Sequence, residues 1–199
     1  MGAKLEINII SSNFICLDVI DNIKNSPRVS DFEMLAIDDW EYSNEVQISE
    51  VEDIRECIAA KQKVFIWFVW ENITDCGIFI DKENDKYIYT IWFDTNNNPD
   101  YDCDYINDNN KPFYDELYKK LLEFMKIKFN IDYDIIAVGA ETVFDWKGSI
   151  KKTIDGSKNI VSWIFPNRIS ENGNIIKSLS GYTHKQHQAF SCEIYEKHQ

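Results

Sequence analysis

Carboxylate and amide oxygens crowd one stretch near the middle of the chain, where they could hold a divalent cation. The segment Asp94–Pro99 begins like a calcium-binding loop, with oxygen ligands at its first, third and fifth positions. Pro99 replaces the glycine that such a loop needs, and Tyr105 stands in place of its bidentate glutamate. Three aspartates alternate just beyond it, which leaves weak cation binding open: Asp100, Asp102 and Asp104. The pattern excludes an EF-hand, and we predict neither a metal site nor a cofactor.

The three histidines all lie in the last sixteen residues, close to a cysteine. His184 and His187 are three residues apart and would share one face of a helix, where they could bind a metal. Cys192 is nearby, but adjacency in sequence does not indicate a nucleophile with its base. We expect instead a polar, frayed C-terminal segment that includes His198.

Other catalytic signatures are missing from the sequence. It contains no glycine-rich phosphate loop, no GxSxG elbow and no HExxH motif. We therefore predict a protein that is not an enzyme. One alternative is an enzyme whose site is assembled from dispersed residues: Asp100, Asp102, Asp104, Glu141 and the C-terminal histidines. Another is a small structural or regulatory protein that dimerises through an aromatic-rich sheet.

The hydrophobic pattern shows which elements must position these residues. Leu5, Ile7 and Ile9 alternate with polar neighbours, which predicts a strand over Lys4–Ile10. Further strands are predicted at Val46–Ile48, Lys63–Trp70, Cys76–Ile80, Tyr87–Phe93, Tyr133–Gly139, Asn159–Phe165 and Ala189–Tyr195. Helices are predicted over Phe14–Lys24, from a capping box at Ser49 to Lys61, and over Pro112–Phe129.

Together these elements predict the fold class α+β: a mostly antiparallel central sheet with about three packed helices. We find no internal repeat and no linker, so residues 1–199 are expected to form a single domain. The five cysteines are scattered and form no CxxC pair, which indicates reduced residues rather than disulfides or a zinc ribbon. The N-terminus lacks signal-peptide features, and the longest apolar run, Val64–Trp70, is too short to span a membrane. We therefore expect a cytoplasmic protein with no membrane partner.

Negative charge is concentrated in two segments. The first acidic tract, residues 31–53, holds nine acidic residues and no basic one. The second acidic tract, residues 71–116, holds twelve acidic and three basic residues, while the rest of the chain sums to +5. Such clustering attracts an oppositely charged partner and disfavours nucleic acid, whose phosphates require clustered Lys and Arg. Trp40, Tyr42, Tyr101 and Tyr105 lie among these acids, and such side chains are favoured anchors at protein interfaces.

A small acidic α+β domain with aromatic residues among its carboxylates resembles the bacterial immunity proteins that neutralise toxin domains. The resemblance is one of overall profile and rests on no diagnostic motif, so no family residue is carried over. It implies a basic protein partner, such as a nuclease toxin whose active site the inhibitor covers. We predict that the two tracts form the interface, with seven residues foremost: Asp38, Asp39, Trp40, Glu41, Asp100, Asp102 and Asp104.

Overall fold

The computed structural model describes residues 3–14, 17–38, 45–71, 73–96, 104–124, 132–170, 175 and 178–198. Within these ranges ten strands form one sheet: β1 (Lys4–Ser11), β2 (Val29–Ile37), β3 (Val46–Gln47), β4 (Lys63–Trp70), β5 (Ile73–Glu83), β6 (Lys86–Asp94), β7 (Tyr133–Ala140), β8 (Ser162–Pro166), β9 (Thr183–His187) and β10 (Cys192–Glu196). The helices are α1 (Leu17–Lys24), α2 (Ile54–Ala59), α3 (Lys111–Phe124), α4 (Ile150–Gly156) and α5 (Asn167–Ser170). Two 3-10 turns are described, at Val51–Asp53 and Gln188–Phe190.

The strand order is β3-β2-β4-β5-β6-β1-β7-β8-β10-β9, and every ladder between these strands is antiparallel. Strands β4, β5 and β6 form a meander. The β5–β6 hairpin closes through Asn84 and Asp85, with Asn84 at a φ of 56°. Asparagine tolerates this left-handed conformation better than most side chains, which suits it to a two-residue hairpin turn.

The sheet has two faces with different coverings. Its first face carries Leu5, Ile7 and Ile9 of β1, and buried side chains of α1, α2 and α3 belong to the same hydrophobic cluster. The opposite, second face has its own cluster towards the β8 and β10 end, built around Trp163, Phe165 and other apolar residues. None of the helices in the described part of the chain has the length and apolarity needed to cross a lipid bilayer.

The predicted α+β fold with about three packed helices is wrong. The described chain is dominated by a ten-stranded antiparallel sheet, and its helices are short. The helix predicted from Ser49 breaks into a 3-10 turn and the six-residue α2, and the residue before the turn, Glu50, makes no capping side-chain bond. The helix predicted over Phe14–Lys24 is described only from Leu17.

Two strands that the sequence prediction missed account for much of the difference. Strand β2 lies partly within the first acidic tract, and its register shifts between Ser30 and Glu33, where Asp31 has a φ of 50°. This irregularity interrupts the alternation on which strand prediction depends. Strand β9, at the opposite edge of the sheet, consists entirely of polar residues and has no buried position.

Candidate functional site

A groove of about 330 Å³ lies on the second face of the sheet, over β4, β5, β6 and β1. Four aromatic side chains line it: Phe144, and three from neighbouring strands, Phe65, Phe79 and Trp92. The ring centroids of Phe65 and Phe79 are 4.7 Å apart, and those of Phe65 and Trp92 are 6.4 Å apart. We call these three rings the aromatic floor. A volume of this size is at the lower end of the range for small-molecule sites.

Strand register assembles the groove from residues far apart in sequence. Phe65 pairs with Phe79, Phe79 with Thr90, and Thr90 with Asn8, so these side chains form one row across four strands. The next row includes Trp92 paired with Glu6. Because side chains alternate between the faces of a strand, the polar members of β1 that alternate with its core residues point into the groove.

Asp75 anchors one end of the groove by joining three side chains. Its Oδ1 accepts hydrogen bonds from the indole Nε1 of Trp67 at 3.0 Å and of Trp92 at 3.2 Å. Its Oδ2 lies 2.8 Å from Lys4 Nζ. Burial disfavours the charged carboxylate, but the hydrogen bonds from Lys4 and the two indoles outweigh that effect and lower the pKa of Asp75. Asp75 is therefore a structural anion whose charge is compensated.

Glu6 ends a directed chain of hydrogen bonds along the groove. Thr90 Oγ1 donates to Asn8 Oδ1 at 2.8 Å, and Asn8 Nδ2 donates to Thr142 Oγ1 at 2.9 Å. Thr142 then donates to Glu6 Oε2 from its hydroxyl and, at 2.8 Å, from its backbone N–H. Burial nevertheless raises the pKa of Glu6, since desolvation exceeds the effect of the Thr142 hydrogen bonds. The chain fixes the carboxyl group without neutralising its charge.

The far end of the groove carries three more carboxylates. Asp81 Oδ2 lies 3.2 Å from Lys63 Nζ, and Asp145 is bonded to Lys147. Glu83 forms no ion pair with any described residue. Burial raises the pKa of Glu83, and the nearby charges of Asp145 and Asp81 raise it further. This end of the groove therefore keeps an uncompensated negative charge.

The groove combines aromatic surface with two carboxylates, Glu6 and Glu83, that form no ion pair with a described residue. This arrangement suits the binding of an organic cation, because aromatic faces attract cations as carboxylates do. Metal binding has no support from the described residues, which contain no group of three or more His, Cys, Asp or Glu suited to a metal ion.

Most of the residues predicted for the interface lie outside the described ranges: Asp39, Trp40, Glu41, Asp100 and Asp102. The two that are described, Asp38 and Asp104, are both exposed. Asp38 follows β2 and accepts a hydrogen bond of 2.9 Å from Gln62 Nε2. No described hydrogen bond or ion pair joins Asp38 to Asp104.

The first acidic tract lies mainly along the β2–β3 edge of the sheet and the 3-10 turn that follows it. Seven of its carboxylates are described and all are exposed: Asp31, Glu33, Asp38, Glu45, Glu50, Glu52 and Asp53. None of the seven forms an ion pair with a described residue. Some carboxylates elsewhere are paired: Asp134 contacts Lys86 at 2.6 Å and Arg168 at 3.1 Å. The sheet edge therefore concentrates uncompensated charge.

His184 and His187 lie in strand β9 and His198 forms an isolated bridge with Ile106, so the expectation of a frayed segment is wrong. His184 and His187 both belong to β9, where a spacing of three places them on opposite faces, so they share no helical face. His184 is bonded to Glu193. Burial raises the pKa of Cys192 to about 11, which leaves almost no thiolate for nucleophilic chemistry at neutral pH.

The sequence prediction did not single out Glu6, Asp75, Glu83 or Thr142 as site residues. One signal was present: Lys4, Glu6 and Asn8 form the polar half of an alternating strand that proves to be central in the sheet. A polar face on a central strand indicates a site or a buried network. No family model, no curated protein and no solved structure matches this chain.

Proposed function

We propose that this chain is an acidic binding protein that neutralises a basic protein partner, as bacterial immunity proteins neutralise toxin domains. The observation that supports the proposal is the set of seven exposed, unpaired carboxylates of the first acidic tract. Like charges held together at one edge repel each other and lower the stability of the free protein. A basic partner relieves that repulsion when it binds.

The contrast with the rest of the molecule strengthens this argument. Asp115 contacts Lys185 at 2.8 Å and is also bonded to Lys111. Burial raises the pKa of Asp115, but the hydrogen bonds and the charges of these two lysines outweigh that effect. The pKa of Asp115 is therefore lowered. Several acids outside the first tract are paired internally, whereas none of the seven described acids within it forms an ion pair with a described residue, so the β2–β3 edge carries a concentrated negative field. A localised field of this kind steers a basic protein and raises its association rate.

The same edge also offers contacts that are not electrostatic. Strand β3 is the terminal strand of the sheet, and Val46 within it is 55% exposed. A terminal strand presents backbone groups that can pair with another chain. An apolar side chain beside them can be buried at an interface, which favours affinity beyond that of charge alone.

Two experiments test the proposal: affinity capture of a partner from the source cells at low salt, and a direct binding test of the product of the adjacent gene. We expect a basic protein that binds in a defined stoichiometry and whose toxic activity is lost in the complex. Recovery of no partner at low salt, or of a partner whose activity is unaffected, would contradict the proposed function.

A further inference from the structure

The groove on the second face is separate from the acidic edge. The residues that form it are not in the first acidic tract, and its floor is aromatic rather than charged. Its two uncompensated carboxylates, Glu6 and Glu83, lie towards opposite ends. The inference drawn from it does not depend on the proposed function.

Strand register gives the separation of these two carboxylates. Glu6 pairs with Trp92, which in turn pairs with Gly77 on β5. Glu83 lies six residues beyond Gly77 on the same strand. At the rise of an antiparallel strand, this is an offset of about 20 Å along the strand direction between the backbone positions of Glu6 and Glu83. The aromatic floor lies between them, because Phe79 stands two residues beyond Gly77. The groove is therefore elongated, with negative charge at both ends and an aromatic middle.

The two lysines that line the groove do not make it an anion site. Lys4 lies 2.8 Å from Asp75 and 5.7 Å from the ring of Trp92, and Lys63 lies 3.2 Å from Asp81. Both ammonium groups are thus already neutralised, so a phosphate or carboxylate ligand would meet the unpaired charges of Glu6 and Glu83. A hydrated metal ion would gain nothing from the rings, and a neutral ligand would leave the two carboxylates uncompensated.

We propose that the groove binds a linear aliphatic polyamine, with an ammonium group at each carboxylate and the methylene chain across Phe65, Phe79 and Trp92. The ends of such a ligand form charge-assisted hydrogen bonds with Glu6 and Glu83. Its methylenes displace water from the aromatic floor, and its ammonium groups gain cation–π attraction from the rings.

Glu6 and Glu83 are partly buried and form no ion pair with a described residue, so their protonation provides a second readout of ligand binding. Burial raises the pKa of both carboxyl groups, with Glu141 and Lys4 facing Glu6, and Asp145, Asp81, Lys63 and Lys147 facing Glu83. A bound ammonium group favours the ionised form and lowers these pKa values again. Binding at mildly acidic pH should therefore release protons, which calorimetry in buffers of different ionisation enthalpy detects.

Titration calorimetry with spermine and with diamines of equal charge and different length tests the proposal. We expect saturable one-to-one binding of spermine, and dodecane-1,12-diamine should bind more tightly than putrescine because it is long enough to reach both carboxylates. Glu6→Gln and Glu83→Gln should each weaken spermine binding by about tenfold or more, the loss expected for a hydrogen bond to a charged group.

The matched control is Asp38→Asn, which removes the same charge from the exposed sheet edge. It should leave spermine affinity unchanged, and native circular dichroism of all three variants shows that each is folded. Equal losses in Asp38→Asn and Glu83→Gln would show that spermine responds only to net charge and would overturn the proposal. Absence of saturable binding to the wild-type protein, or equal affinities for the short and long diamines, would also overturn it.

Discussion

The indole ring of Trp92 lies directly across Gly77 on the neighbouring strand. A Cβ added to Gly77 would stand 2.1 Å from Trp92 Cζ2 and 2.5 Å from the backbone carbonyl oxygen of Ile66. Real atoms do not approach so closely, so only glycine leaves room for the ring. The position of Trp92 in the groove, and its hydrogen bond to Asp75, therefore depend on a missing side chain two strands away from Glu6.

Gly77→Ala should destabilise the protein and disturb the aromatic floor. The added methyl meets a rigid ring and a backbone atom, and overpacking of this kind costs about 1–3 kcal/mol. Urea denaturation measures the loss. Gly181→Ala is the matched control, because a Cβ there meets no atom within 4 Å, and it should be nearly neutral. Equal stability of the two variants would show that Trp92 does not need the space above Gly77.

Asp75→Asn should lower the free energy of unfolding by about 1–3 kcal/mol at neutral pH, since it weakens charge-assisted hydrogen bonds from Lys4 and two indoles. The pKa of Asp75 is lowered in the folded protein. Its contribution is therefore fully present above the unfolded pKa of 3.8 and is lost as pH falls through the folded value. Urea denaturation of the wild type and the variant at pH 7 and at pH 3 measures how this difference in the free energy of unfolding changes with pH. Asp85→Asn, in an exposed turn, is the control. An equally large loss of stability in this variant would contradict the stabilising role of the hydrogen bonds to Asp75.

Glu6→Gln should have the opposite pH dependence. The pKa of Glu6 is raised in the folded state, so the wild-type protein loses stability as pH rises from the unfolded value of 4.5 through the folded one. Glutamine keeps the carbonyl acceptor for Thr142 without the buried charge. We expect the variant to be at least as stable as wild type at pH 7, with any advantage vanishing near pH 4. Thermal melts of the wild type and the variant at both pH values test this prediction. A variant that is clearly less stable than wild type at pH 7 would contradict the claim that burial of the Glu6 charge lowers stability.

Cys76 and Cys192 should resist alkylation in the native state. Both are buried, and burial raises the pKa of each thiol to about 11. Cys57 is partly accessible and should react first of these three, although burial raises its pKa as well. Mass spectrometry after timed iodoacetamide treatment, with urea-unfolded protein as control, locates the label. Rapid modification of Cys192 in the native protein would contradict this prediction and would favour a role for Cys192 as a nucleophile.

The sequence predicted the regular strands well and the helices unevenly: α3 begins one residue before the predicted Pro112 and α1 ends at the predicted Lys24, whereas α2 is much shorter than predicted. Strand β4 was predicted with its observed bounds, and β1 and β7 within one residue, because their apolar patterns are continuous. The β5–β6 hairpin was expected, although both strands extend beyond their apolar runs. Helical periodicity is less specific over short stretches, and this is why α4, with seven residues, was missed.

The candidate site could be predicted only in part. Clustered acidity is visible in the sequence, and the seven described carboxylates of the first tract prove to be exposed and without an ion pair to any described residue. The groove was not visible, because it depends on which strands are neighbours: Glu6 and Thr142 are separated by 136 residues and meet only through the sheet. Pairing of the second tract with lysines, such as Asp81 with Lys63, likewise requires the register.

The central claim is that the unpaired edge carboxylates attract a basic partner. The most direct test is the association rate of the captured partner, measured by stopped flow over a range of salt concentrations. Two variants change the net charge equally: Asp38→Lys/Glu45→Lys at the edge, and Asp21→Lys/Glu123→Lys on helices α1 and α3. Steering by the edge predicts that salt slows wild-type association steeply, and that only the edge variant loses about tenfold or more in rate at low salt. Equal association rates for the two variants would contradict the claim.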